Sequence, residues 1–180
     1  MAFQPMNQLR IIAGIYGGRL IKTPKTNITH PMGDRERGAI FNALQHDIND
    51  TTTVLDAFAG SGAIGLEALS RGAKHITFLE NHPKATRIIT ENVLKLKVTD
   101  HVKIIKTIAG LTDKFDLIIA DPPYDHPQYD IITRILKKLN PGGTFVLSHD
   151  KNVQPPQFKN LMLISDKTYA AANIKIYKHY

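Results

Sequence analysis

Apolar positions along this chain change period near residue 50. Before that point, Arg10 to Ile21 carries two short apolar stretches around Gly17-Gly18 and predicts a hairpin, with Thr23 to Gly33 as a loop. Asp34 is placed to cap a helix running to about Asp47, because Ile40, Phe41, Leu44 and Ile48 recur at helical spacing. From Thr53 onward, strand-like and helix-like segments alternate. Thr53 to Phe58, His75 to Leu79, Val102 to Ile108, Phe115 to Ala120 and Thr144 to Ser148 read as strands. Between them, Ala63 to Arg71 reads as a helix ended by Gly72, Pro83 to Lys97 as an amphipathic helix opened by its proline, and Pro127 to Leu139 as a helix stopped by Asn140-Pro141-Gly142-Gly143. Leu161 to Lys167 and Asn173 to Lys178 look like a closing antiparallel pair. Such alternation predicts an α/β fold: a doubly wound, mostly parallel sheet with ligands at the carboxyl ends of its strands.

The first of these strands breaks into Gly60-Ser61-Gly62-Ala63-Ile64-Gly65, a G-x-G-x-x-G turn that opens a helix, and Glu80 stands twenty residues on at the end of the next strand. In this context the turn can receive a nucleotide-like cofactor, and the acid can bond ribose hydroxyls. A nicotinamide-dependent dehydrogenase would share the pattern. Asp56 bears on the choice: a carboxylate four residues before the first glycine attracts the amino group of S-adenosyl-L-methionine and repels a pyrophosphate. The alternative is that Asp56 caps the turn through its own backbone.

The strand Phe115 to Ala120 ends in Asp121-Pro122-Pro123-Tyr124. Two successive prolines fix φ and remove two donors, so nearby carbonyls are left as acceptors. An exocyclic amine of a nucleobase is a poor nucleophile because its lone pair is spread into the ring. If the Asp121 carboxylate and a backbone carbonyl accept its two hydrogens, the nitrogen can aim its lone pair at a methyl sulfonium, with the gain coming from positioning and electrostatics. Tyr124 can stack on the base, worth about 1–3 kcal/mol. Asp121, Pro122, Pro123 and Tyr124 are therefore the candidate catalytic residues.

Composition narrows the classes. The 180 residues suit one domain with a small appendage, and the absence of cysteine excludes disulfides, thiolate metal sites and a thiol nucleophile. The eight histidines show no metal-ligand spacing, so no metal is expected. No run reaches membrane-span length, and Met1-Ala2-Phe3-Gln4-Pro5 lacks a signal-peptide layout, so a cytoplasmic protein is expected. The net charge of +7 favours polyanionic partners. It is concentrated at the ends: residues 1 to 33 hold Arg10, Arg19, Lys22 and Lys25 with no acid, and residues 151 to 180 hold five lysines against Asp166.

Four blocks in order carry a resemblance: Arg10-Ile-Ile-Ala-Gly-Ile-Tyr-Gly-Gly-Arg19, the segment Asp34 to Leu44, Leu55 to Gly62 continuing through Gly65 to Ala73, and Phe115-Asp-Leu through Asp121-Pro-Pro-Tyr124. Together they resemble the RsmD-type 16S rRNA guanine-N(2) methyltransferases, from about Arg10 to Ser148. The resemblance implies a class I methyltransferase fold with a seven-stranded sheet, spanning 34–180, and an N-terminal extension and hairpin, 1–33, that helps hold RNA. It implies methyl transfer from S-adenosyl-L-methionine to the 2-amino group of a guanine in 16S rRNA. The expected partner is 16S rRNA or a partly assembled 30S subunit, and the protein is expected to be a monomer.

With the motif reading, the cofactor set is Asp56, Phe58, Ala59, Gly60, Ser61, Gly62, Glu80, Asn81 and Ile108, and the RNA set is Arg10, Arg19, Lys22, His30, Arg35 and Arg37. The chain departs from the family in having His30-Pro31-Met32-Gly33 where Arg-Pro-Thr is usual, and Thr107-Ile108-Ala109 where a polar residue near the adenine is usual. Adenine would then be held by apolar packing and backbone groups. A DNA adenine 6-amino methyltransferase is the alternative, since Asp-Pro-Pro-Tyr serves that chemistry too, although no span remains for a separate DNA-reading domain. A dehydrogenase and a non-catalytic RNA-binding module complete the alternatives.

Overall fold

A computed structural model describes residues 8–24, 32–169 and 172–180. The hairpin consists of β1 (Gln8–Arg10) and β2 (Leu20–Lys22), paired antiparallel with Gln8 opposite Lys22. The chain then runs through α1 (Asp34–Ala43), β3 (Thr53–Ala57), α2 (Ala63–Ser70), β4 (His75–Leu79), α3 (Pro83–Leu96), β5 (Val102–Ile105), β6 (Phe115–Ala120), α4 (Tyr129–Leu136), β7 (Leu139–Asp150), β8 (Leu161–Thr168) and β9 (Ala172–His179).

The main sheet has seven strands in the order β5-β4-β3-β6-β7-β9-β8. Its first five are parallel, and β9 runs antiparallel to both β7 and β8. The chain builds outward from β3 to β5, then returns to the other side of β3 with β6. That reversal sets the carboxyl ends of β3 and β6 side by side at the switch point of the sheet, the usual place for a ligand crevice in an open α/β sheet.

Successive strand residues point to opposite faces, which explains the two apolar layers. Val54, Ile76, Phe78, Leu117, Ile119 and Val146 pack with α1, α2, α3 and the hairpin residues Ile11 and Ile21. Leu55, Ala57, Ile118, Ala120, Phe145 and Leu147 pack with Ile132 and Ile135 of α4. All eight residues of α2 are buried. That is why its sequence is apolar all round: the sheet covers one side and the hairpin segment the other.

Glu67 on α2, fully buried, accepts from the Ile12 N–H at 2.6 Å, the Ala13 N–H at 3.1 Å and Arg71 Nε at 2.7 Å. Gly14 has φ +81° and lies so close to Ser70 that a Cβ there would fall 1.9 Å from the Ser70 carbonyl oxygen. Only glycine lets the hairpin approach α2 this closely.

Several boundaries differ from the sequence reading, each for a visible reason. The hairpin strands are three residues long, not a ladder over Arg10 to Tyr16, because the Ile12 and Ala13 N–H groups turn to Glu67 instead of to a facing strand. Asp34 does not cap α1: Gly33 takes that place, and Asp34 Oδ1 instead accepts from Arg37 at 2.6 Å. The helix also stops at Ala43, short of Asp47. β5 ends at Ile105 and Ile108 to Gly110 forms a 3₁₀ turn. α4 begins at Tyr129, after Gln128 in the left-handed region at φ 49°. β7 starts at Leu139, pairs there with Phe115, and accommodates Pro141-Gly142-Gly143 by a register shift between Phe115 and Leu117. The loop expected over Thr23 to Gly33 falls largely on residues outside the described set.

Candidate active site at the switch point of the sheet

The turn after β3 is left-handed at three positions: Phe58 at φ 62°, Gly60 at φ 55° and Gly62 at φ 78°. For a bulky residue such as Phe58 this is a strained conformation, of the kind that clusters at ligand sites. The Phe58 and Ala59 N–H groups both donate to the Leu79 carbonyl, at 3.0 and 3.3 Å, so the end of β4 holds the bend. No heavy atom lies within 4 Å of where a Gly60 Cβ would stand, which leaves that side of the backbone open.

Glu80 closes the other side. Its Oε2 accepts from the Gly60 N–H at 2.8 Å and its Oε1 from the His82 N–H at 2.8 Å. Each carboxylate oxygen keeps a further lone pair, so the group can still receive two hydroxyls. Asn81 is exposed beside it, and half-buried Ile108, on the 3₁₀ turn after β5, packs against the cluster that contains Leu79 and Ile105. Phe58, Ala59, Gly60, Ser61, Gly62, Glu80, Asn81 and Ile108 thus sit on the bend or on the strand-ends that follow β4 and β5.

Asp56 is placed differently from the expectation of a salt bridge to a cofactor. It is 1% exposed and its Oδ2 accepts from the Gly65 N–H, in the first turn of α2, at 2.8 Å. Burial pushes its carboxyl well above the usual range, the Gly65 bond pulls back, and the Asp121 and Glu80 charges add to the rise. A carboxyl so enclosed ties β3 to the first turn of α2.

Asp121 leaves β6 next to that bend. Ala57 pairs with Ala120, and the Asp121 N–H points to the Ala57 carbonyl at 3.5 Å, so Phe58 and Asp121 start from adjacent positions on neighbouring strands. Burial raises the Asp121 carboxyl to about 6, while hydrogen bonds from the Ser148 and Tyr124 hydroxyls oppose the rise. Pro122 is buried, and Pro123 and Tyr124 are half-buried. The Tyr124 hydroxyl lies 2.6 Å from Ser148 Oγ. Burial, followed by the Asp121 charge, raises that phenol to about 12, so it remains neutral across the physiological range.

The basic residues divide. Arg10, Arg19 and Arg35 are exposed, Arg19 lying over the Tyr16 ring at 5.3 Å. Lys22 is half-buried and its Nζ pairs with Glu91 at 2.7 Å. Arg37 contradicts the expectation of a backbone contact. It is 1% exposed, and its Nη2 donates to the Arg10 carbonyl at 2.8 Å and to Asp34 at 2.6 Å, which fastens α1 to the hairpin. His30 lies outside the described residues.

Two buried polar residues bonded to the glycine bend or the Asp121 loop are not legible in the sequence. Ser148 is one. Asn92, fully buried on α3, is the other: its Oδ1 accepts from the Lys22 N–H at 2.8 Å, and its Nδ2 donates to the carbonyls of Lys22 at 2.9 Å and Ser61 at 3.0 Å. It joins the hairpin to the glycine bend. The only local hint was a polar residue on the inward stripe of an amphipathic helix.

Comparison with known proteins agrees with this geometry. The profile of the family described as Conserved hypothetical protein 95 matches residues 9–178. YlbH of Bacillus subtilis (strain 168) is 30% identical over 182 residues, covering 94% of this chain and 98% of the relative. Ribosomal RNA small subunit methyltransferase D of Haemophilus influenzae is 28% identical over 183 residues, covering 96% and 94%. Among solved structures, yhhF from Escherichia coli superposes with a TM-score of 0.84 at 27% identity, covering 96% of this chain and 98% of that one. The chain belongs to the Conserved hypothetical protein 95 family, that of the RsmD-type methyltransferases, and is a methyltransferase by that membership.

Proposed function

We propose that the protein transfers a methyl group from S-adenosyl-L-methionine to the 2-amino group of a guanine in small-subunit ribosomal RNA. The observation that carries this reading is the pairing of Ala57 with Ala120, from which the glycine bend and the Asp121 loop leave neighbouring strands at the same level. The rRNA substrate is supported by the Haemophilus relative, named as a small-subunit rRNA methyltransferase.

The residues present fit the cofactor. Glu80 retains lone pairs for ribose hydroxyls, Ile108 offers an apolar surface to adenine, and the open side of Gly60 admits close approach of the backbone. The cofactor supplies an electrophilic methyl group; the protein's task is to present the nucleophile. Asp121, ionised near neutral pH with a carboxyl at about 6, accepts one hydrogen of the base amine. The Pro122 carbonyl accepts the other, and the Tyr124 ring stacks on the base. On methylation the amine would shed one proton, and Asp121, which accepts that hydrogen, would be placed to take it. Arg10, Arg19, Lys22 and Arg35 supply contacts to the RNA backbone.

Incubation with tritiated S-adenosyl-L-methionine and either free 16S rRNA, 30S particles or duplex DNA tests the reading. Label is expected in the RNA of one of the first two. Label in DNA alone overturns it.

A further inference from the structure

The ladder between β6 and β7 pairs Ile119 with Val146 and Ala120 with Leu147. One step further along each chain come Asp121, just past the end of β6, and Ser148, still within β7. Side chains alternate, and Val146 points to the face of the sheet that also carries Ile119 and Tyr124, so Ser148, two residues on, points there as well. Ser148 is fully buried in a strand that is otherwise apolar from Phe145 to Leu147.

A hydroxyl in such a place costs stability unless it is bonded, and here its partner is the Tyr124 phenol at 2.6 Å. Three oxygen-bearing groups, the Asp121 carboxylate and the two hydroxyls, therefore share two hydroxyl protons. Both hydroxyls also act on the Asp121 carboxylate, holding its titration down against burial.

We infer that Ser148 is a positioning residue for methyl transfer: through one hydroxyl it fixes both the plane of the Tyr124 ring and the direction of the Asp121 carboxylate. The inference rests on the functional reading above and deepens it. A base entering the crevice meets an aromatic face and an acceptor whose relative orientation is set before binding. Without Ser148, the Tyr124 phenol loses the hydrogen bond that ties it to β7. The carboxylate also loses a donor that holds its titration down. Other charges face this group. Asp56 on β3 lies close enough to feel the Asp121 charge, while Glu36 on α1 and Asp150 at the end of β7 act on Tyr124.

The test is a double-mutant cycle with Ser148→Ala and Tyr124→Phe, assayed by methyl transfer to rRNA at saturating S-adenosyl-L-methionine. Each single change is expected to lower kcat by about tenfold or more with cofactor affinity unchanged, and the double variant to be no worse than the poorer single, since both break one bond. Ser148→Ala should also move the acid limb of the kcat/KM profile to higher pH, and Ser148→Thr, which keeps a hydroxyl, should restore it. A purely structural role would lower thermal stability without moving that limb. Wild-type kcat in Ser148→Ala, or losses that multiply in the double variant, would overturn the inference. Should Ser148→Ala not fold, Tyr124→Phe decides, and wild-type kcat in that variant overturns it equally. If the wild-type chain transfers no methyl group to rRNA, the functional reading fails and this inference with it.

Discussion

The Gly60 N–H donates to Glu80 Oε2 at 2.8 Å, so the bend after β3 and the acid ending β4 form one unit before any ligand arrives. Both elements of the proposed cofactor site are therefore set by the sheet, since β3 and β4 pair in register from Thr53–His75 to Ala57–Leu79. Glu80→Ala removes the acceptor for two backbone N–H groups as well as the proposed partner of the ribose. Affinity for S-adenosyl-L-methionine, measured by calorimetry, should fall by at least tenfold, while kcat at saturating cofactor falls much less. Equal loss in both would place Glu80 in the chemical step instead.

Asp121 offers a test with two readouts of opposite sign. Its carboxyl titrates at about 6 in the fold against 3.8 when free. The proposed role needs the ionised form, so kcat/KM should fall as pH drops through about 6. Stability moves the other way. An acid whose folded value is raised contributes stability that is complete below the free value and is lost as pH rises through the folded one. Asp121→Asn should therefore raise the unfolding free energy above pH 6, by up to about 3 kcal/mol, with the difference gone near pH 4, while reducing turnover by a hundredfold or more. Denaturant titrations at pH 4 and pH 8 provide the comparison.

Gly65 sits inside α2, where a Cβ would stand 2.4 Å from Phe78 Cε1 and 2.6 Å from Ile76 Cγ2. Gly65→Ala should destabilise the fold by about 1–3 kcal/mol through overpacking of the helix against β4. It should also weaken cofactor binding, because the Gly65 N–H is the partner of Asp56 under the bend. A variant of wild-type stability would show that α2 can shift from the sheet at little cost.

The arginines should separate by burial. Changing Arg10 with Arg35 to Ala, both exposed, should weaken RNA binding and flatten its dependence on salt, with thermal stability nearly unchanged. Arg37→Ala should do the reverse, lowering stability by several kcal/mol and leaving the salt slope in place, because its guanidinium is enclosed between Asp34 and the Arg10 carbonyl. Fluorescence anisotropy across a salt series, beside a melting curve, distinguishes the two.

The parts of this fold legible in the sequence were those set by local pattern. β4 at His75–Leu79 and β6 at Phe115–Ala120 match their predicted spans, because each is an apolar run bounded by polar or turn residues. The glycine bend and the Asp121 loop were legible for the same reason, being short motifs at strand ends.

What was not legible depends on distant partners. The hairpin's length is decided by Glu67, some 55 residues away, and the start of β7 by its pairing with Phe115 across Pro141 and two glycines. Arg37 looked like a surface cation because nothing nearby in sequence shows that the hairpin covers it. Charge sign alone points Asp56 at a cation, whereas burial against Gly65 decides its place. Ser148 gains its place beside Asp121 only through the pairing of β6 with β7.

The central claim is that the crevice between the ends of β3 and β6 joins a methyl donor to the 2-amino group of guanine. Digestion of the methylated RNA to nucleosides, followed by mass spectrometry against standards, tests it most directly. The account predicts a single new product, N2-methylguanosine, absent from a parallel reaction with the Asp121→Ala variant. N6-methyladenosine as the product, or N2-methylguanosine formed equally by that variant, would contradict it.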